Sequence, residues 1–263
     1  LLEGDGPLLV STDLHGNFED LTRLHAIWRA LGPTARWVLL GDLVHGPNDQ
    51  VRVDEPELYG YEDRSEEVAL AVADLVETHP ERVFFVLGNH DHVHVGGPRT
   101  RKFHRDEGGF LEAGMTPAAI DRMRALFQRA LLLVTTSCGA SLSHGAPPDC
   151  IARPSDLDGI ALPCRDDREQ SLVLAMTCGY GQSREVMERF LRAASVDGPA
   201  QRFVIHGHDR AEEGYFVEAE NQLCPTIFGA PRANKRCVVL DLGARYDSVR
   251  TLRDGVEIRR LYD

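Results

Sequence analysis

Long apolar runs are missing from this chain. Nowhere do about 18 apolar residues stand together, so no segment reads as a membrane-spanning helix. Basic residues are also in short supply. Lys and Arg number 29 against 41 Asp and Glu, a net charge of −12. A general affinity for nucleic acid or an anionic membrane is therefore not expected, because both reward basic faces. Cysteine is sparse, six in 263 residues, and no two form a Cys-x-x-Cys pair. That excludes a disulfide-dense secreted scaffold and suits free thiols in a reducing cytoplasm. The opening stretch LLEGDGPLLV is too short and too acidic to read as a signal peptide. Internal repeats and low-complexity tracts are absent. What remains is 43% hydrophobic content, enough for one large core and a single domain over residues 1–263.

Within that domain the stretch VFFVLGNHDH, residues 83–92, sets a grammar. A short apolar run reads as a buried strand. Its polar end, Gly-Asn-His-Asp, falls at the lip of a sheet, where open α/β sheets place their chemistry. The same grammar recurs. PLLVST (7–12) runs into Asp13-Leu14-His15-Gly16-Asn17, and residues 36–40 run into Gly41-Asp42-Leu43-Val44-His45-Gly46. Residues 140–143 end in His144-Gly145, and 202–205 end in His206-Gly207-His208-Asp209.

Helical spacing separates the first three strands. Leu21, Leu24, Trp28 and Leu31 mark one helix, and Val68, Val72, Leu75 and Val76 another. Such β-α-β steps bring three polar clusters to the same strand ends. Residues 47–64 are acidic, with Pro47, Pro56 and Gly60, and read as a surface excursion. Residues 93–114 read as irregular and hold Arg99, Arg101, Lys102 and Arg105, the densest basic cluster. Thr116-Pro117 starts a helix, 146–170 reads as a loop, 184–194 as a helix, and the chain from Tyr215 as several strands.

Five strand ends therefore carry Asp13/His15, Asp42, Asn89/His90, His144 and His206/His208. These donors suit hard to borderline divalent ions such as Mn²⁺, Fe or Zn²⁺. Two ions about 3.5–4 Å apart can clamp a phosphoryl group and activate a shared water. The ordered series DLHGN, GDLVHG, GNHD, SHG and GH resembles the calcineurin-like metallophosphoesterases, and within them the phosphoprotein phosphatase branch. His79-Pro80-Glu81-Arg82-Val83-Phe84-Phe85, Glu213-Gly214-Tyr215 and Phe228-Gly229-Ala230-Pro231 add to the resemblance, which covers residues 7–242.

That resemblance implies an α/β sandwich, two central β-sheets flanked by helices, with the metal site at the strand C-terminal ends. It implies two divalent ions, Mn²⁺ first, with Fe or Zn²⁺ as alternatives. Asp13 and His15 would bind the first ion, Asp42 would bridge, and Asn89, His144 and His208 would bind the second. His90 would be the general acid at the leaving-group oxygen. His206 is ambiguous, because in a Gly-His-x-His pattern it takes the second ion and His208 the first. The chain departs from the branch at His45 and Gly46. They replace an Asp that orients the catalytic His and an Arg that grips phosphate. Leu87 stands where another Arg is usual. Arg99, Arg101, Lys102 and Arg105 are candidate substitutes, and His45 is a candidate phosphate donor or supporting group. His92 and His94 read as loop residues, His25 and His79 as structural. The expected activity is hydrolysis of phosphomonoesters, foremost phosphoserine or phosphothreonine in a phosphoprotein, in the cytoplasm. The alternatives are a dinucleoside polyphosphate or nucleic-acid-end hydrolase, and a metal-binding pseudophosphatase acting as a binding module.

Overall fold

The computed structural model describes residues 1–196 and 198–262. Strand β1 (Pro7–Ser11) leads to Asn17, whose side chain accepts the Asp20 N–H and opens helix α1 (Phe18–Ala30). Then come β2 (Arg36–Leu39), α2 (Asp49–Asp54), α3 (Pro56–Tyr59), α4 (Ser65–Thr78) and β3 (Val83–Phe85). The middle of the chain holds α5 (Asn89–His92), α6 (Glu107–Gly114), α7 (Pro117–Gln128), β4 (Val134–Thr135) and β5 (Ala140–Ser143). Helices α8 (Asp167–Thr177) and α9 (Arg184–Ala194) precede β6 (Phe203–His206), β7 (Tyr215–Glu218), β8 (Gln222–Pro225), β9 (Arg236–Asp241) and β10 (Ile258–Arg260).

These strands form two mixed sheets, ordered β10-β9-β1-β2-β3 and β4-β5-β6-β8-β7. In the first, β1, β2 and β3 run parallel, so Asp13, Asp42 and Asn89 leave the same edge. In the second, β5 and β6 run parallel and deliver His144 and His206–His208 together. Side-chain alternation along each strand decides what packs where. Leu8, Val10, Val38 and Leu40 face Ala140, Leu142, Phe203 and Ile205 of the other sheet. Leu9, Trp37, Leu39 and Phe85 face outward into α1, α4 and α7, through Leu24, Val72 and Phe127. Val204 takes Met187, Phe190 and Leu191 of α9 on the far side. The chain thus forms the expected sandwich, two sheets inside and helices outside.

Three segments hold more helix than their composition predicts. The excursion at 47–64 contains α2 and α3, because the Asn48 side chain caps the Val51 N–H and Pro56 opens the second turn. Helix α6 ends the segment read as irregular, started by Asp106 accepting the Gly109 N–H. Helix α8 follows the long loop, started by Asp166 accepting the Glu169 N–H. All six cysteines are free, and no described helix is long and apolar enough to cross a membrane.

Candidate metal centre

Asp13, His15, Asp42, His45 and His208 hold left-handed backbone, with φ of 32, 42, 52, 69 and 69°. They are five of the seven described non-glycine residues with positive φ. Each costs on the order of 1 kcal/mol, and such residues gather where a fold must aim side chains. Hydrogen bonds hold the turns in place. The Leu14 and His15 N–H groups both donate to the Asp42 carbonyl at 2.9 Å, and Gly16 donates to Leu43 at 2.8 Å. Buried Asp91 ties the second loop to the third. Its carboxylate accepts from the N–H groups of Asp42 (2.7 Å), Leu43 (2.9 Å) and Gly88 (3.0 Å).

Asp42 Oδ1 accepts the His90 N–H at 2.9 Å, which leaves Oδ2 to face ring nitrogens. Oδ2 lies 3.5 Å from Nε2 of both His15 and His144. His15 Nδ1–H donates to the His45 carbonyl at 3.0 Å, and His144 Nδ1–H to the Leu40 carbonyl at 2.6 Å. Each therefore presents an Nε2 lone pair toward Asp42. Asn89 Oδ1 sits 2.9 Å from His208 Nδ1 and 3.2 Å from His144 Nε2. Asp13 Oδ2 accepts the His208 N–H at 3.2 Å. Among the described residues His45/His90/Glu107 form one triad behind the strand ends, and Asp13 joins none. Two more triads stand at the strand ends, His15/Asp42/His90 and Asp42/His144/His208, each, like the first, with ligand atoms within 4.8 Å of one another. Asp42 belongs to both. The packing leaves no room beside the carboxylates. A Cβ on Gly88 would stand 2.2 Å from Asp42 Oδ1, and one on Gly207 2.4 Å from Asp13 Oδ2. His206 lies outside both triads. Its Nδ1–H donates to the Gly207 carbonyl at 2.9 Å, and its buried Nε2 has no hydrogen-bond partner among the described residues.

The electrostatics call for added positive charge. Burial pushes Asp42 up to about 6, with His144 pulling the other way, and it raises Asp13 as well. Burial pulls His208 down to about 3 and His206 to about 4, and holds His15 well below the ordinary imidazole range. For His144 burial works against the charged form, but the Asp42 and Asp13 carboxylates outweigh it and raise the group. Carboxylates that resist ionising, beside the lowered imidazoles of His15, His206 and His208, are what divalent cations convert into ligands, and a cation at Asp42 would take the place of the charge on His144. The donor set fits two such ions.

The centre opens into a cleft of about 620 Å³ whose lining includes Asn89, His90, Lys102, Tyr180 and Arg210. Lys102 is an exposed residue whose ammonium turns inward, 3.5 Å from His15 Nε2 and 4.1 Å from the centre of the Phe228 ring. Desolvation of the ammonium pulls it down to about 8, opposed by Asp42. Arg210 is steadied by donating to the Tyr59 hydroxyl at 2.8 Å. Arg99, Arg101 and Arg105 are exposed and do not line this cleft, and Arg99 faces Asp106 at 3.7 Å. His45 is buried behind His90, its Nδ1 3.0 Å from His90 Nδ1. His92 and His94 are not loop residues. They lie buried on α5 and the turn after it, because that short helix starts directly at Asn89. Tyr59 and Arg210 carry no motif that spacing reveals. The signal for Asp91 was its place directly after His90.

Residues 6–211 match the family described as calcineurin-like phosphoesterase. Among solved structures, a protein serine/threonine phosphatase from Saccharomyces cerevisiae is similar over 89% of this chain and 72% of that one, with a TM-score of 0.63 at 18% identity. A cold-active protein tyrosine phosphatase gives a TM-score of 0.55 at 12% identity, covering 91% of this chain and 75% of that one. The cold-active protein-tyrosine phosphatase of a psychrophilic Shewanella gives 0.50 at 12%, with 94% and 77% covered. At these identities the likeness is one of fold. The match over most of the chain spans every candidate-ligand loop from Asp13 to His208, and by it the chain belongs to the calcineurin-like phosphoesterase family.

Proposed function

We propose that this chain hydrolyses phosphomonoesters with two divalent ions, and that its substrates are phosphoserine and phosphothreonine side chains of proteins. The observation that carries the reading is the shared carboxylate, Asp42, common to both triads. Asp13 and His15 would hold the first ion, Asp42 would be shared, and Asn89, His144 and His208 would hold the second. His206, with its unclaimed Nε2, is the remaining ligand. Mn²⁺ leads for such a mixed oxygen and nitrogen set, with Fe and Zn²⁺ next. Two ions there supply charge neutralisation on the phosphoryl oxygens and a nucleophilic water at neutral pH.

The chain's own residues do the rest. Lys102 and Arg210 grip the phosphate from the cleft, in place of forked arginines at the strand ends. His90, whose ring centre lies 4.6 Å from that of His15, would give a proton to the departing oxygen from its imidazolium form, which burial and then Lys102 disfavour before ions and substrate are bound. Glu55 and Glu212 also line the cleft. They disfavour a polyphosphate chain, whose extra charges would meet carboxylates, and leave a single phosphate on a protein side chain as the better fit.

The test is Mn²⁺-dependent turnover of p-nitrophenyl phosphate. Phosphoserine, phosphothreonine and phosphotyrosine peptides and diadenosine tetraphosphate are then compared side by side. Hydrolysis of the first two peptides, abolished in Asp42→Asn, is the expected result. Preference for the polyphosphate or for phosphotyrosine would displace the serine/threonine reading. No turnover with Mn²⁺ bound would sink the hydrolase and leave a binding module.

A further inference from the structure

His90 is braced on the side away from Asp42. Its Nδ1 lies 3.0 Å from His45 Nδ1 and 3.5 Å from Glu107 Oε2. The brace continues outward. His45 Nε2 lies 3.0 Å from His94 Nε2, and His94 Nδ1 lies 2.8 Å from Glu112 Oε1. His45, His90 and His94 are all buried. Arg124 grips both Glu112 oxygens, at 2.7–2.9 Å from Nη2, and so keeps the far end a carboxylate.

A contact between two ring nitrogens needs one hydrogen and one lone pair. Only the carboxylate end has a fixed sense, because a carboxylate accepts. His94 therefore donates from Nδ1 and offers its Nε2 lone pair. His45 donates from Nε2 and offers its Nδ1 lone pair. His90 donates from Nδ1, so its Nε2 carries a proton for the leaving oxygen only when the ring is an imidazolium. Thr100 agrees with this order, since its hydroxyl lies 3.3 Å from the same His45 Nδ1 and can donate to it. Glu107 offers a second acceptor. It is fully buried, and its Oε1 accepts the Phe103 N–H at 2.8 Å. Its Oε2 has no hydrogen-bond partner among the described residues and lies 3.9 Å from His45 Nδ1. Both carboxylates stand on α6.

We propose that α6 is the positioning element for His90. The Glu107 carboxylate faces the ring's Nδ1 across 3.5 Å, and Glu112 fixes the ring's tautomer through His94 and His45. Together they do the work of an aspartate in the second motif, which this chain lacks. The inference rests on His90 acting as the proton donor, as proposed above.

The experiment compares p-nitrophenyl phosphate with phenyl phosphate, whose leaving group is poorer and needs the proton more. Mn²⁺-loaded parent, His90→Asn, Glu107→Gln and Glu112→Gln are assayed for kcat and KM, and metal content is measured in each. The expected result for both glutamine variants is unchanged metal content and KM. Their kcat on phenyl phosphate falls about tenfold or more, and by a smaller factor on p-nitrophenyl phosphate. Glu112 is only partly buried, so its variant keeps the test open should Glu107→Gln fail to fold. Equal losses on both substrates would reduce α6 to a structural part and overturn the proposal. Loss of one metal equivalent in Glu107→Gln would overturn it too, in favour of a cation between His45, His90 and Glu107. If His90→Asn shows no leaving-group dependence, the proton-donor reading itself fails. If His90→Asn shows it and the glutamine variants do not, only the positioning proposal fails.

Discussion

Lys102 shows how far a sequence reaches at the scale of one residue. Four basic residues crowd 99–105, and nothing in their spacing says which turns inward. The answer lies in Phe228, more than a hundred positions along the chain, whose ring receives the ammonium. Lys102→Ala is expected to lower kcat/KM by about 10- to 100-fold, the worth of one charge-assisted hydrogen bond, while the triple change Arg99→Ala, Arg101→Ala, Arg105→Ala stays within about twofold. Steady-state kinetics on a phosphopeptide would check both. The polar residues that end buried strands were legible because a run of apolar side chains frames them. Asp91 was harder to see, since its partners are backbone N–H groups that no sequence pattern marks. His92 makes a separate prediction. Its ring is fully buried with neither nitrogen bonded among the described residues, and burial pulls it down to about 4. The unfolded chain binds a proton there near 6.5, so the contribution is present above that pH and is lost as pH falls from 6.5 toward 4. It amounts to about 3 kcal/mol at most. His92→Phe should flatten the fall in urea stability across that window. An unchanged slope would show that other groups control it.

At the scale of elements, helix α1 is tied to the end of the chain by one buried carboxylate. Asp20 receives the Lys235 ammonium on Oδ2 and the Tyr262 hydroxyl on Oδ1, the latter at 2.7 Å. Removing one partner leaves a buried charge alone, so Lys235→Met is expected to cost about 3–5 kcal/mol. The pair Asp20→Leu with Lys235→Met should recover most of it, because apolar replacement removes both desolvation penalties. Urea denaturation of the three proteins decides the matter. The β-α-β steps were readable from periodicity alone, because α1 and α4 each keep one apolar stripe against the sheet. Helix α8 was not. Its buried positions, Glu169, Leu172, Val173, Met176 and Thr177, keep helical spacing, but Leu174 and Ala175 on the outer side are apolar too, so the sequence shows an unbroken apolar run from 172 to 176. The pairing of β9 beside β1 was invisible for another reason, since strand order across 230 or so positions is set by packing and not by local preference.

The whole molecule carries the proposed ligands on two separate sheets, Asp13, Asp42 and Asn89 on one and His144 and His208 on the other. Bound ions then count toward the stability of the sandwich itself. Metal in thousandfold excess over its dissociation constant adds about 4 kcal/mol per site. For a chain of this size, removing it with EDTA is expected to lower Tm by roughly 10 °C. Asp42→Asn, already short of a bridging ligand, should lose less on the same treatment, and differential scanning calorimetry would show it. The position of β9 has a further consequence for how the protein is made. Residues 236–241 fill the place between β1 and β10, so β1 waits for a strand made about 230 residues later. At about 5–20 residues per second that wait lasts some ten seconds or more. Through all of it the nascent chain displays a half-built sheet with its acidic loops unclosed. A ribosome carrying this message therefore holds an inert polypeptide until β9 has emerged, and any chaperone that meets it before then will find β1 uncovered.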